Sequence, residues 1–229
     1  MHIFEGRVIE ISWVSPGQPA AWVACPPKAV PDPGQYLLAW SPTDVDAPLG
    51  TPLFTGQSSS QGFLAVAPIP PTWEPGTVLY LRGPLGHGFR MPGAARRLAL
   101  AAMGESAARL LPLALQGLQG EAAVALFTDA PLPALPTAIE AYPLSALPES
   151  LAWADILALD LPVECLASLR DNFGLKPGER LPGPAQALVI TAVPCAGLAE
   201  CGACAVPVRR AWKLACKDGP VFDLNDLDW

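Results

Sequence analysis

The stretch from Pro194 to Phe222, PCAGLAECGACAVPVRRAWKLACKDGPVF, holds four of the chain's six cysteines. Cys195, Cys201, Cys204 and Cys216 follow the spacing C-x5-C-x2-C-x11-C. A segment this short and this rich in cysteine is too small to build an ordinary apolar core, so something else must organise it. Thiolates serve both iron–sulfur centres and structural zinc. A [2Fe–2S] centre takes four thiolates, three from one tight loop and the fourth from farther along, the plant-type loop being C-x4-C-x2-C. Here the first gap is one residue longer and the close Cys201/Cys204 pair is unchanged. Gly197 and Gly202 allow the backbone to curl with its N–H groups inward. A zinc ribbon shows two separated C-x2-C knuckles, and this segment has one. The iron–sulfur centre is therefore the preferred reading, with zinc left open. Cys25, in a strand-like run, and Cys165, in an amphipathic one, read as small core residues.

Disulfides require an oxidising compartment. The N-terminal MHIFEGRVIEISW alternates like a strand and carries Glu5 early, so no secretory leader is expected and the cytoplasm is the expected location. The apolar run from Leu98 to Gly104 lies between Arg97 and Glu105, far short of the ~20 residues of a membrane span. Net charge is −7 with scattered basic residues, which argues against nucleic acid as a partner. Charged residues make up 15% of the chain, against about 25% in an ordinary chain, and this points to a surface covered by another subunit.

Three units are expected. Residues 1–92 read as six short strands between Pro/Gly punctuation, an antiparallel β-barrel. From 93 to 188 the pattern becomes that of a doubly wound α/β domain. RRLALAAM, AAVALFTD, WADILALDL and ALVITAV read as buried strands. ESAARLLPLALQGLQG reads as a helix bent by Pro112, with Glu105 stabilising its first turn. PVECLASLRDNFG reads as a helix with Pro162 near its first turn, Leu166, Leu169 and Phe173 on one face, and Gly174 at the stop. Between these, APLPALPTAIEAYPLSALPES reads as an irregular surface connection. Residues 189–229 form the cysteine unit, so the fold class is α+β with several domains. His87 reads as a surface histidine, and Arg209, Arg210 and Lys213 as a solvated face. Trp212 reads as a cover for the cluster or an anchor for its unit, and Phe222 and Trp229 as contacts that dock an acidic tail.

CGAC (Cys201–Cys204) followed by ACKDGPVF (Ala215–Phe222) resembles the cluster domain of the electron-transfer subunit of dihydroorotate dehydrogenase. The order of parts agrees across nearly the whole chain. PGQYLLAW (Pro33–Trp40) resembles that family's early barrel strand, and GPLGHGF (Gly83–Phe89) its interdomain segment. The resemblance implies FAD on the barrel, NADH on the α/β domain and a cluster held by Cys195, Cys201, Cys204 and Cys216. It also implies an FMN-containing catalytic subunit as partner in a hetero-oligomer, within pyrimidine biosynthesis.

Four motifs depart from the family. The Arg-Pro-x-Ser-like flavin motif is here Thr51-Pro52-Leu53-Phe54, without the arginine that neutralises a diphosphate. The Gly-Thr phosphate segment is replaced by APIPPTW. Substoichiometric or absent FAD is therefore expected. The glycine-rich nicotinamide turn is here Ala102-Met103-Gly104-Glu105-Ser106, and the later Cys-Gly-Pro motif is matched only by Leu159–Pro162. Direct oxidation of NADH is not expected. The expected role is an electron-transfer subunit rather than a self-sufficient enzyme. Two alternatives remain: a non-enzymatic partner whose cluster or zinc is structural, and an FAD/iron–sulfur reductase subunit of another dehydrogenase.

Overall fold

The computed structural model describes residues 2–42, 50–66, 68–176, 179 and 181–229. Ala67, the first residue of APIPPTW, lies outside the described residues.

The N-terminal sequence alternates because one face of each strand must fill a barrel. Strands β1 (Ile3–Ser15), β2 (Gln18–Ala24), β3 (Tyr36–Trp40), β4 (Thr51–Ser59), β5 (Gly62–Val66) and β6 (Val78–Leu85) close in the order β1-β2-β5-β4-β3-β6. Every neighbouring pair is antiparallel. Val8, Val23, Leu37, Leu53, Phe63, Leu79 and Leu81 fill the interior. Gly62 has φ +147°, and a Cβ there would run into the Val23 carbonyl, so only glycine lets β5 approach β2. The expected six-stranded barrel is present.

The second unit holds the parallel strands β7 (Arg97–Ala102), β8 (Ala123–Thr128), β9 (Ile139–Tyr142), β10 (Ile156–Pro162) and β11 (Ala185–Ile190). Beyond β11, the antiparallel strand β14 (Val221–Asp223) completes a sheet ordered β14-β11-β10-β7-β8-β9. Chain order reverses between β7 and β10, as in doubly wound folds. Leu98, Leu100, Val124 and Leu126 pack on one face with Leu110 and Leu113. Ala99, Ala101, Leu159 and Leu161 face the other core, with Leu166, Leu169 and Phe173.

Helices are few: α1 (Leu111–Gln119), α2 (Leu147–Ser150), α3 (Leu169–Asn172) and α4 (Ala215–Asp218). Three sequence expectations need correction. Pro112 lies in the first turn of α1, where its missing N–H costs nothing, so the helix begins there instead of bending. Glu105 precedes both α1 and the 3-10 turn before it (Ala108–Leu110), so it supports no first turn; Ser106 instead accepts the Ala108 N–H at 3.2 Å. Pro162 ends β10 in an extended conformation, and a 3-10 segment (Val163–Ser168) leads into the short α3. The expected irregular connection also contains β9, an edge strand of which only Ile139 is buried.

Strands β12 (Ala205–Val208) and β13 (Ala211–Leu214) make a hairpin within the cysteine segment. That segment has no separate core. Cys204, Val206, Ala215, Cys216, Phe222, Leu224 and Leu227 belong to the same buried cluster as Leu159 and Phe173. A last cluster joins all three parts: Tyr36, Leu38, Phe54 and Val66 of the barrel meet Ala108, Leu188 and Val221. Among the described residues no helix is long and apolar enough to cross a membrane.

Candidate metal centre

Strand β11 delivers the chain to Cys195, and the loop that follows bends back repeatedly. Ala196, Gly197, Ala199 and Gly202 take left-handed φ of 53°, 68°, 62° and 73°. Such turns aim successive N–H groups into one concavity, and the two alanines adopt them at a cost of about 1–3 kcal/mol each. The N–H of Glu200 and the thiol of Cys201 are donated to Cys195, together with the Cys201 and Leu198 N–H groups. These donors hold the Cys195 thiol down at about 6, the Glu200 N–H acting most strongly. Ala203 N–H points at the Cys201 sulfur, 3.5 Å away.

The other two cysteines meet through the hairpin. With Ala205 opposite Leu214, β12 and β13 carry the chain out and back, so Cys204 and Cys216 end side by side. Their sulfurs are 3.2 Å apart, both buried, and Ala215 N–H bonds the Cys204 carbonyl at 2.9 Å. Burial, followed by the hydrogen bond to Cys204, pushes the Cys216 thiol up to about 12. The C-x11-C gap is thus the length of a hairpin. Four thiols stand as two pairs, 195/201 and 204/216. Among the described residues no three His, Cys, Asp or Glu side chains converge on a point where one ion could sit. Four thiols in two pairs suit a centre with two metals better than the single tetrahedral zinc.

The barrel grips this loop directly. Arg82 Nη1 donates to the Ala196 carbonyl at 2.6 Å, and Tyr36 Oη to the Cys216 carbonyl at 3.3 Å. A Cβ on Gly197 would stand 3.1 Å from Tyr36 Oη, so glycine keeps the loop against the barrel. Burial raises the Tyr36 phenol well above its ordinary pKa, which keeps it a proton donor. On the outer side Cys201 is exposed, with Leu198 55% and Trp212 70% exposed. Trp229 does dock: its indole N–H reaches the Leu224 carbonyl at 2.7 Å and its ring packs edge-on against Phe173. Phe222 is buried. Cys25 packs against the barrel core, where burial lifts its thiol to about 11, and the Cys165 thiol lies 3.9 Å from the Met103 carbonyl. His87 is exposed, its Nδ1 3.1 Å from the Asp218 carbonyl. Arg209 and Arg210 are exposed too, and Lys213 pairs with Asp226 at 3.3 Å.

At the crevice between β7 and β10, where dinucleotides bind in doubly wound folds, an ion pair fills the space. Asp160, fully buried on β10, receives Arg109 Nε at 2.8 Å and Nη2 at 3.1 Å. Its backbone carbonyl takes the Met103 N–H at 2.8 Å. Burial raises the Asp160 carboxyl, and Arg109 pulls it back. The turn Ala102–Ser106 and Leu159–Pro162 line this plugged crevice, with Glu105 exposed. Sequence reading missed the pair, although an aspartate inside ILALDLP is the signal of a buried charge that needs a partner.

Thr51 and Pro52 of the flavin-motif position are half-buried, Leu53 points into the barrel, and Phe54 packs against Tyr36 with ring centroids 5.9 Å apart. Arg109 lies 5.8 Å over the Phe54 ring. Beside them is a cavity of about 280 Å³, lined by Tyr36, Phe54, Arg109, Thr191 and Cys216 among others. These walls do not fit the diphosphate of FAD. Arg109 is the sole cation among the described lining residues and is already neutralised by Asp160, while Pro52 and Pro68 have no N–H to donate.

Residues 197–228 match the family described as the iron-sulfur cluster binding domain of dihydroorotate dehydrogenase B. No curated protein matches the chain in sequence. Among solved structures, that of the NADH-dependent reduced ferredoxin-NADP oxidoreductase of flavin-based electron bifurcation superposes with TM-score 0.75 at 18% identity, over 98% of this chain and 90% of the other. The ferredoxin reductase in carbazole 1,9a-dioxygenase gives 0.58 at 16%, over 77% and 65% of the two chains. The ferredoxin-NADP+ reductase from Plasmodium falciparum gives 0.55 at 7%, over 78% and 91%. The chain thus has a ferredoxin-reductase-like fold, with its barrel and α/β sheet. Its C-terminal segment is similar to the iron–sulfur cluster binding domain of dihydroorotate dehydrogenase B, and the chain resembles that enzyme's electron-transfer subunit.

Proposed function

We propose that this electron-transfer subunit holds a [2Fe–2S] cluster on Cys195, Cys201, Cys204 and Cys216 and relays electrons for a dihydroorotate-dehydrogenase-type FMN subunit in pyrimidine biosynthesis. The observation that carries the reading is the arrangement of four thiols as two pairs inside one short segment, with Cys201, Cys204 and Cys216 within the matched residues 197–228. A cluster bound there supplies one-electron transfer. The chain's own residues do the rest. N–H groups of Glu200, Cys201 and Ala203 stabilise negative sulfur. Burial of Cys204 and Cys216 excludes water on the inner side, whereas exposed Cys201 opens the outer side to a partner. Arg82 and Tyr36 fix the loop on the barrel. The cytoplasm is the proposed location, residues 1–92, 93–188 and 189–229 the proposed functional units, and a hetero-oligomer the proposed assembly.

The test is an anaerobic preparation assayed for iron, acid-labile sulfide and zinc, with a visible spectrum. Two irons and two sulfides per chain are expected. Cys201→Ser and Cys204→Ser should each lose them, and Cys25→Ser and Cys165→Ser should keep them. One zinc without sulfide, or full retention in Cys201→Ser, overturns the reading.

A further inference from the structure

The cavity beside Cys216 is closed by parts of the chain far apart in sequence: Tyr36, Pro52 and Phe54 from the barrel, Thr191 from beyond β11, and Cys216 from α4. Its volume, about 280 Å³, falls at the lower edge of the roughly 300–1,000 Å³ of organic-ligand pockets. That is room for a small fused-ring nucleus and too little for a dinucleotide.

The walls say what kind of nucleus. Tyr36 and Phe54 present two aromatic rings inclined at 37° to one another. Pro52, Pro68, Val189 and Ile190 add apolar surface, and Thr191 supplies a hydroxyl able to meet a ring carbonyl. Arg109 brings a positive charge, but its Nε and Nη2 donate to the fully buried Asp160, whose carboxylate offsets that charge at the wall. An ionised phosphate entering such a cavity loses its hydration without a countercharge, whereas a flat uncharged ring loses little and gains stacking surface.

We infer that this cavity is a binding site for an uncharged fused-ring aromatic molecule, the nucleus of a quinone or of a phosphate-free flavin, and that it makes no use of a flavin's diphosphate. A molecule seated there touches Cys216. That contact matters for electron transfer through the proposed cluster, but binding itself does not depend on the cluster.

The test titrates the full chain with riboflavin, FAD and menadione, by calorimetry and by quenching of flavin fluorescence. Riboflavin or menadione should bind in the micromolar range, and FAD no more tightly than riboflavin; which of the two probes binds distinguishes flavin from quinone. Thr191→Trp, which places an indole at the cavity wall, should weaken that binding at least tenfold while leaving the far-UV spectrum unchanged, and Pro68→Trp is the second variant should the first fail to fold. FAD binding tenfold or more tighter than riboflavin overturns the inference. So does absence of binding by both uncharged probes, or a folded cavity variant that binds as well as the parent. Iron and sulfide measured on the same samples keep the two proposals apart: protein without a cluster that still binds riboflavin defeats the proposed function and supports the site.

Discussion

Replacing Arg109 by leucine isolates the chemistry of the plugged crevice. The Asp160 side chain is 0% exposed and Arg109 11% exposed, so water cannot take over as partner for the carboxylate. Removing one member of a buried pair costs about 3–5 kcal/mol. For a chain of this length that lowers the melting temperature by roughly 6–20 °C. The loss should depend on pH, with a definite sign. Without Arg109 only burial acts on Asp160, and burial raises its pKa above the ordinary value. The native variant then keeps a proton that the unfolded chain releases above about pH 4, so its stability falls as pH rises, by up to ~1.4 kcal/mol per unit until the native pKa is passed. Urea unfolding followed by far-UV circular dichroism at pH 5, 6.5 and 8 should show a small deficit at pH 5 and the full one at pH 8. The double variant Arg109→Leu/Asp160→Leu should recover most of it, since an apolar pair of similar volume often matches a buried ion pair. It would still lack the contact of Arg109 with Phe54, worth about 0.5–1 kcal/mol. A deficit under ~1 kcal/mol at pH 8, or one that does not change with pH, would refute the argument by showing that solvent reaches Asp160.

Two further outcomes follow from particular groups. NADH should show no binding below the millimolar range by calorimetry, because Arg109 is paired with Asp160 at the crevice and the turn Ala102–Ser106 has one glycine beside an exposed Glu105; micromolar binding would contradict this. Cys25, whose thiol is lifted to about 11 by burial, should remain unmodified by iodoacetamide at pH 8 and react only as pH approaches 11, as read by mass spectrometry of its peptide.

The barrel and most of the sheet were legible because their patterns are local. Leu79 and Leu81 alternate with half-buried or exposed neighbours, and Leu98 to Ala102 are buried on both faces, as the run RRLALAAM suggests. Strand β9 was not legible, since Glu140, Ala141 and Tyr142 sit at a sheet edge and look like a loop. Nor was β14, three residues long, whose place is set by pairing with β11 rather than by its own pattern. At the candidate centre the cysteine spacing could be read directly. Their pairing could not, because it depends on the β12–β13 hairpin. The Arg109–Asp160 contact spans 51 positions, and the Tyr36 bond to Cys216 spans 180. Sequence shows that a buried aspartate needs a partner; only the fold says which one.

Strand β14 carries one more implication. Because it pairs with β11, the whole excursion from 191 to 220, with all four cysteines, leaves the sheet and returns to it two strand widths from the crevice. The chain enters and exits the candidate centre through the same rigid edge, and Trp229 then ties the terminus to Phe173. The two ends of that excursion are thus held together by sheet pairing, which meets the entropy of closing a loop of about thirty residues.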